Sequence, residues 1–168
     1  MMTRSLKPVT GDVTELRRVF GCFPSGVAAV CALTDDGPAG MAASSFTSVS
    51  MDPPLVSVCI QHTSTTWPVL RERQRLGVSV LAQDHEDVGK QLASKSGDRF
   101  VGVAWEATPD GGVLVGGSTA WLECSLHAEV PAGDHLIALL EIHSMTADPD
   151  TAPLVFHAST FRRLHVAP

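Results

Sequence analysis

Residues 120–145, AWLECSLHAEVPAGDHLIALLEIHSM, decide the fold class. Two long runs, Ala120–Val130 and His135–Met145, flank Pro131-Ala132-Gly133-Asp134. In the first run Ala120, Leu122, Cys124, Leu126 and Ala128 recur at every second position, with Trp121, Glu123, Ser125 and His127 between them. That is the period of a strand with one buried face. A pair of long strands either side of a Gly-containing break predicts an antiparallel hairpin, and the rest of the chain can be read outward from it.

Upstream, Val27–Leu33 is a dense β-compatible run followed by the turn chemistry of Asp35-Asp36-Gly37-Pro38. Phe46–Ser50 leads to Asp52-Pro53-Pro54, which no strand interior tolerates. Leu55–Ile60 alternates Val56, Val58 and Ile60 against Ser57 and Cys59, and Val78–Leu81 is a short buried strand. Downstream, Leu154–His157 and Phe161–Leu164 supply one or two closing strands.

Helices are the minority. Asp12 is an N-cap candidate with Glu15 three places on, and Val13, Leu16, Val19 and Phe20 then fall on one face until Gly21. Trp67–Arg73 and Asp84–Lys95 are the other two, the second with Asp84 as N-cap and Val88 and Leu92 as its apolar side. Many strands, Pro/Gly turns and few helices argue a mostly β, closed or nearly closed antiparallel barrel, not a βαβ sheet. Residues 1–11 are expected to be an N-terminal arm and residues 12–168 a single domain.

Composition narrows the function. Of the 168 residues, 44% are hydrophobic and 18% charged, which excludes a disordered tail. Twelve basic against eighteen acidic side chains leave a net charge of −6, a field that repels phosphate backbones, so nucleic acid is not an expected partner. No apolar run approaches the roughly 20 residues of a membrane helix, so no membrane partner is expected. The opening MMTRSLKPVT carries Arg4 and Lys7 without an apolar segment, so no secretory signal is expected. Cys22, Cys31, Cys59 and Cys124 show no Cys-x-x-Cys spacing and fit a reducing cytoplasm rather than a zinc or disulfide framework.

Several chemistries drop out by motif. Gly-x-Gly-x-x-Gly is absent, and Gly111–Gly117 lacks the Lys-Ser/Thr of a P-loop, so it reads as a hairpin turn region. Ser25, between Pro24 and Gly26, is not in a nucleophile elbow. No two of the seven histidines have the i, i+4 spacing of helical zinc ligands, so no metal is expected. His135 stands out because Gly133-Asp134-His135 opens a strand, where a side chain reaches a pocket mouth. Residues 41–66 are dense in small hydroxyl side chains. β-propensity and turn chemistry account for many of them, but Thr63-Ser64-Thr65-Thr66 directly precede Trp67-Pro68, a helix start. Hydroxyls at a helix start would suit a cofactor phosphate.

Together, several segments resemble the flavin reductase family, small split-barrel flavoproteins that include reductase components of two-component monooxygenases. They are LRRVFGCFPSGVAAV, GMAASSFTSVSMDPPLVSVCI, HTSTTWPVLRE, KSGDRFVGVAW, the AGDH of 132–135, and PLVFHASTFRRL, in family order from Leu16 to Leu164. The resemblance implies an antiparallel Greek-key split barrel of the FMN-binding kind that dimerises. It implies NAD(P)H-dependent reduction of FMN or FAD, by NADH or NADPH, with reduced flavin passed to a partner monooxygenase. Carried over by position, the flavin ring would lie along Gly40-Met41-Ala42 and Ser44-Ser45, flanked by Cys59 and Gln61, with Ser44 near flavin N5. Thr65 and Thr66 would meet the phosphate, Arg99 and Lys95 would add cations, and Gln91 and Leu92 would approach the flavin. His135 would sit beside the nicotinamide and position it, with Phe156-His157 in the closing strand. The chain departs from the family at Ser44, often asparagine, and at His157, commonly an aromatic. A permanent flavin serving another acceptor, or a flavin-binding module without enzymatic activity, are the alternatives.

Overall fold

The computed structural model describes residues 5–165; the first four residues of the expected arm and the last three of the expected domain lie outside the described residues. Ser5–Gly11 form no regular element, and helix α1 (Val13–Phe20) follows. Asp12 caps it by accepting from the Thr14 N–H, and Gly21 closes it by donating to the Arg17 carbonyl. Glu15 does not complete a capping box, because its carboxylate is engaged by Arg18. None of the residues of α1 is buried.

Strands β1 (Ser25–Gly26), β2 (Ala28–Thr34), β3 (Gly37–Ala43), β4 (Thr47–Met51) and β5 (Pro54–Gln61) come next. A one-turn helix α2 (Trp67–Leu70) separates them from β6 (Leu76–Val80), and helix α3 (Glu86–Ala93) follows. The chain finishes with β7 (Trp105–Ala107), β8 (Val113–Val115), the long β9 (Ala120–Ala132) and β10 (His135–Ala147), then β11 (Leu154–His157) and β12 (Thr160–Arg163). Every described strand pairing is antiparallel. The main sheet runs β3-β2-β6-β9-β10-β5-β4, beside a three-stranded β1-β11-β12 sheet and a β7-β8 hairpin, and the architecture is that of the split barrel.

Three expectations shift in detail. Helix α2 is shorter than Trp67–Arg73, and α3 begins at Glu86 with His85, not Asp84, at its N-cap. The segment 111–117 is a turn only at its start, since Val113–Val115 form β8 with Val113 and Val115 buried. That strand can lie across β6 because Gly77 carries no side chain; a Cβ there would stand 2.1 Å from the Val113 carbonyl oxygen.

The 120–145 hairpin turns on Gly133-Asp134, with Gly133 at φ 66° as the first central residue of a two-residue loop. Inside the barrel, Val56, Val58 and Ile60 of β5 pair with Leu140, Ala138 and Leu136 of β10 and join Val30, Leu76, Val78 and Cys124 in one core. On the outer face Ser57, Cys59 and Gln61 pair with Leu139, Ile137 and His135. The expected alternation of β9 holds only as far as Leu126. His127 is an extra residue in the ladder, because Leu139 pairs with Ala128 and Leu140 with Leu126. A bulge reverses the phase of everything beyond it. Ala128 therefore joins the outer face with Leu139, and Glu129, opposite Ala138, turns inward.

Strand β2 is buried on both faces. Ala28, Val30 and Ala32 face the barrel core, whereas Ala29 and Cys31 face a second cluster with Leu81, Leu92, Phe100, Val113 and Leu154. This second cluster seats α3 and the β11–β12 hairpin against the barrel wall and so builds one side of the site.

Candidate functional site

A cavity of about 460 Å³ opens where β3, the end of β5, the turn before α2, the end of α3 and the start of β10 converge. Ligand sites commonly span roughly 300–1,000 Å³, so this space accepts a nucleotide-sized molecule. Of the expected site residues, Met41, Ala42, Ser44, Ser45, Cys59, Gln61, Thr65, Thr66, Leu92, Arg99 and His135 all line it, as does Lys95. Residues separated by 94 positions, from Met41 of β3 to His135 of β10, thus line one cavity although their strands are not neighbours in the sheet.

One end of the cavity collects hydroxyls and cations. Arg99 reaches in from the loop after α3 and donates from Nη1 to the Gly40 carbonyl at 2.9 Å and to Thr66 Oγ1 at 2.7 Å. The Thr66 hydroxyl accepts that bond, so its own hydrogen remains to be donated to an anion. Gly40 does not line the cavity; it lets the loop close, because a Cβ would stand 2.4 Å from Cys31 Sγ and 3.1 Å from Phe100. Gln91 is likewise outside the lining. Its side-chain amide donates to the carbonyls of Arg99 and Val101 at 3.0 and 2.8 Å, holding the loop that delivers Arg99. Its place in the structure is that of a support rather than a wall.

The helix start contributes less than its sequence suggests. Helix α2 has four residues, too short for a substantial macrodipole. Ser64 Oγ already accepts from the Trp67 N–H at 3.1 Å, and Pro68 has none to give. Charge complementarity at this end therefore rests on Arg99, Lys95 and the threonine hydroxyls.

At the other end, Ser45 Oγ accepts from the Cys59 N–H at 2.9 Å and donates to the Cys59 carbonyl at 3.3 Å. That hydroxyl is spent on joining the β3–β4 connection to β5, which leaves the Ser44 side chain as the free hydroxyl of the pair among the described residues. His135 pairs across the sheet with Gln61, on the outer face. Its Nδ1 lies 2.7 Å from Asp134 Oδ1, and Nε2 has no partner among the described residues. The hydrogen bond from His135, aided by the charge of the imidazole, holds the pKa of Asp134 below its ordinary value. Phe156 lies beside the cavity rather than in it, in an apolar annexe of about 120 Å³ with Phe161, Gly89 and Val27 that shares the Ala42–Ser44 wall. His157, at the end of β11, lines neither space.

Sequence reasoning passed over Ala43 and Ala93, which line both spaces. Small side chains leave room for a ligand, but nothing in an alanine marks that in a sequence. Among the described residues no group of three or more His, Cys, Asp or Glu could hold a metal ion.

The family model for the flavin reductase like domain matches residues 20–165. The chain belongs to this flavin reductase family. It is 37% identical over 147 residues to a flavin reductase of Pseudomonas putida, covering 87% of this chain and 86% of that one. It is 31% identical over 150 residues to the reductase subunit HsaB of a flavin-dependent monooxygenase from Rhodococcus jostii RHA1, covering 89% and 77%. Among solved structures, it matches the NADH:FAD oxidoreductase SgcE6 of Streptomyces globisporus C-1027, in complex with NAD and FAD fragments, with a TM-score of 0.89 and 36% identity. That match covers 96% of this chain and 98% of the other. The donor set of this flavin reductase chain fits a flavin phosphate: a guanidinium, an ammonium and two hydroxyls at one end, with small side chains along β3 leaving space for a flat ring.

Proposed function

We propose that this flavin reductase transfers a hydride from NADH or NADPH to FMN or FAD in the cavity and supplies the reduced flavin to a separate monooxygenase. The observation that carries the proposal is the joining, in one cavity, of the Arg99–Thr66 cluster and the outward-facing His135. When bound, the flavin supplies the redox chemistry, taking up the hydride from a nicotinamide held against it. The chain supplies binding and alignment. Thr65, Thr66, Arg99 and Lys95 hold the phosphate. Met41, Ala42 and Ser44 line the ring, with Ser44 beside its N5 edge, while Cys59, Gln61 and Leu92 flank it. Gly40, Ser45 and Gln91 act one step removed, by fixing Arg99 and the β3–β5 junction. His135 presents Nε2 to the nicotinamide carboxamide, its ring held by Asp134, while Phe156 of the closing strand lines the apolar annexe and His157 stands outside both spaces.

The proposal includes a homodimer. Helix α1 leaves Val13, Val19 and Phe20 56%, 52% and 69% exposed, and Phe23 beyond it is 78% exposed. Leu55, Ile137 and Leu139 lie together on the outer sheet face that continues into the cavity. A second copy over this face would exclude water from a site whose Cys59 and Gln61 are exposed in one protomer. A cytoplasmic location suits four free cysteines. No described helix is long and apolar enough to cross a membrane.

The test is oxidation of NADH or NADPH followed at the nicotinamide absorbance band with added FMN or FAD. A rate that saturates in added flavin supports the proposal. Yellow protein turning over without added flavin replaces it with a permanent prosthetic group, and no oxidation of either nucleotide overturns it.

A further inference from the structure

The threonines of the anion end are carried by a one-turn helix that caps one end of the barrel. Trp67 is its anchor, 3% exposed and packed in the barrel core. The indole Nε1 donates to Glu129 Oε1 at 2.7 Å, and Arg71, which closes the same helical turn, donates from Nη2 to Glu129 Oε2 at 2.6 Å. Both carboxylate oxygens are thus used, each on a different residue of one short helix. Glu129 reaches this position because the His127 bulge turns it inward, opposite Ala138. Thr66, adjacent to Trp67, is meanwhile held from the other side by Arg99. The turn bearing the threonines is clamped between β9 and the loop after α3.

We infer that Glu129 is a positioning residue for the anion end of the cavity, holding Thr65 and Thr66 in binding geometry through Trp67 and Arg71. This rests on the phosphate assignment made above. The sign of the effect separates it from plain electrostatics. Glu129 is a negative charge behind a site for a negative group, so removing its charge without other consequence would tighten anion binding. Positioning demands the reverse, because a turn freed to move must be ordered again when the ligand binds.

The experiment compares FMN with riboflavin, which lacks the phosphate, by flavin fluorescence titration of the wild-type chain, Glu129→Gln, Arg71→Met and the double variant. In Glu129→Gln the amide oxygen still accepts from Trp67, but the amide N–H groups face the Arg71 guanidinium and that tie is lost. The expected result is an FMN affinity reduced about tenfold, the worth of one charge-assisted hydrogen bond, with riboflavin affinity unchanged. Arg71→Met cuts the same tie from the other side, so the double variant loses no more than either single one. Should the Gln variant not fold, Arg71→Met carries the test through the same FMN-to-riboflavin ratio. FMN binding equal to or tighter than wild type, an equal loss for riboflavin, or additive losses overturn the role of Glu129. A wild-type chain that binds FMN no better than riboflavin instead overturns the phosphate assignment, and this inference with it.

Discussion

Thr66→Val is the sharpest single perturbation of the candidate site. Valine keeps the β-branched shape, so packing around the turn is preserved while the hydroxyl is removed. In the folded chain Thr66 Oγ1 accepts from Arg99 Nη1 at 2.7 Å. A hydrogen bond to a charged group contributes about 1.5–3 kcal/mol when neither partner can be rescued by water. Here both groups are only partly buried, and Arg99 keeps its 2.9 Å bond to the Gly40 carbonyl. Water can replace the lost acceptor, so the cost to folding should fall to about 1 kcal/mol, a Tm decrease of roughly 2–4 °C for a domain of this size. The effect on binding should be larger. With one lone pair taken by the guanidinium, the hydroxyl hydrogen is free to point at the ligand phosphate, and losing a donor to a charged acceptor costs about 1.5 kcal/mol, or roughly tenfold in Kd. Fluorescence titration with FMN measures the Kd, and a thermal melt on the same samples measures the Tm. A lowered Tm with unchanged FMN affinity would refute the reasoning, since the hydroxyl would then serve only to hold Arg99.

The other predictions divide by where the groups lie. His135→Ala should raise the KM for NADH or NADPH several times more than that for flavin in steady-state assays; equal effects remove His135 from the nucleotide side. Burial pushes the Cys31 and Cys124 thiols up to about 12, so a thiol reagent at pH 8 should leave both unmodified in the native chain and label them once it is unfolded. Peptide mapping that finds Cys31 labelled in the native chain contradicts this. Gly77→Ala should destabilise by about 3 kcal/mol or more, because the new methyl would meet the Val113 backbone rather than a side chain that can move; a denaturant midpoint near wild type defeats the argument. Burial also lowers the basicity of His85, whose Nδ1 accepts from the Ala82 N–H. Its neutral form favours the folded state, so the stability it contributes is whole above pH 6.5 and is lost as pH falls below that value toward its depressed native pKa. Denaturation curves across pH 5–7 should therefore be flatter for His85→Asn.

What was legible in the sequence was whatever local alternation or turn chemistry carries. The β9–β10 hairpin could be read because its apolar positions recur at period two and its turn contains the glycine a two-residue loop requires. The hydroxyls before Trp67 could be noticed because so many small polar side chains in one short stretch exceed what turns demand. The role of Arg99 could not be derived locally. It depends on a loop brought across to Gly40 and Thr66, 59 and 33 positions away, and a surface arginine has the same local pattern. Gln91 is set back from the cavity for a related reason: its helix approaches the space, but 3.6-residue periodicity puts Leu92 on the wall and turns the glutamine to the loop that carries Arg99.

The His127 bulge shows why such a failure is physical rather than a matter of reading harder. Up to Leu126 the strand obeys strict alternation, and by that rule Glu129 belongs outside, in water, with Ser125 and His127. One extra residue in the ladder inverts the assignment. The inverted carboxylate would carry a desolvation penalty if it stood alone, yet it meets an indole N–H and a guanidinium from a helix 58 to 62 positions earlier in the chain. The bulge and the clamp therefore require one another. Without the two donors the inward carboxylate would oppose the bulge, and were His127 to pair in regular register the helix would lose its tie to the barrel. The barrel end that carries the threonines is thus specified jointly by segments that meet only when the sheet has formed. A deletion of His127 tests this parity: Leu126 and Ala128 become consecutive, Glu129 still alternates inward opposite Ala138, and α2, FMN binding and the protection of core amides from hydrogen exchange should all be retained. Loss of FMN binding in the deletion variant would show that the extra residue itself, rather than the side of the strand that Glu129 occupies, holds the turn before α2.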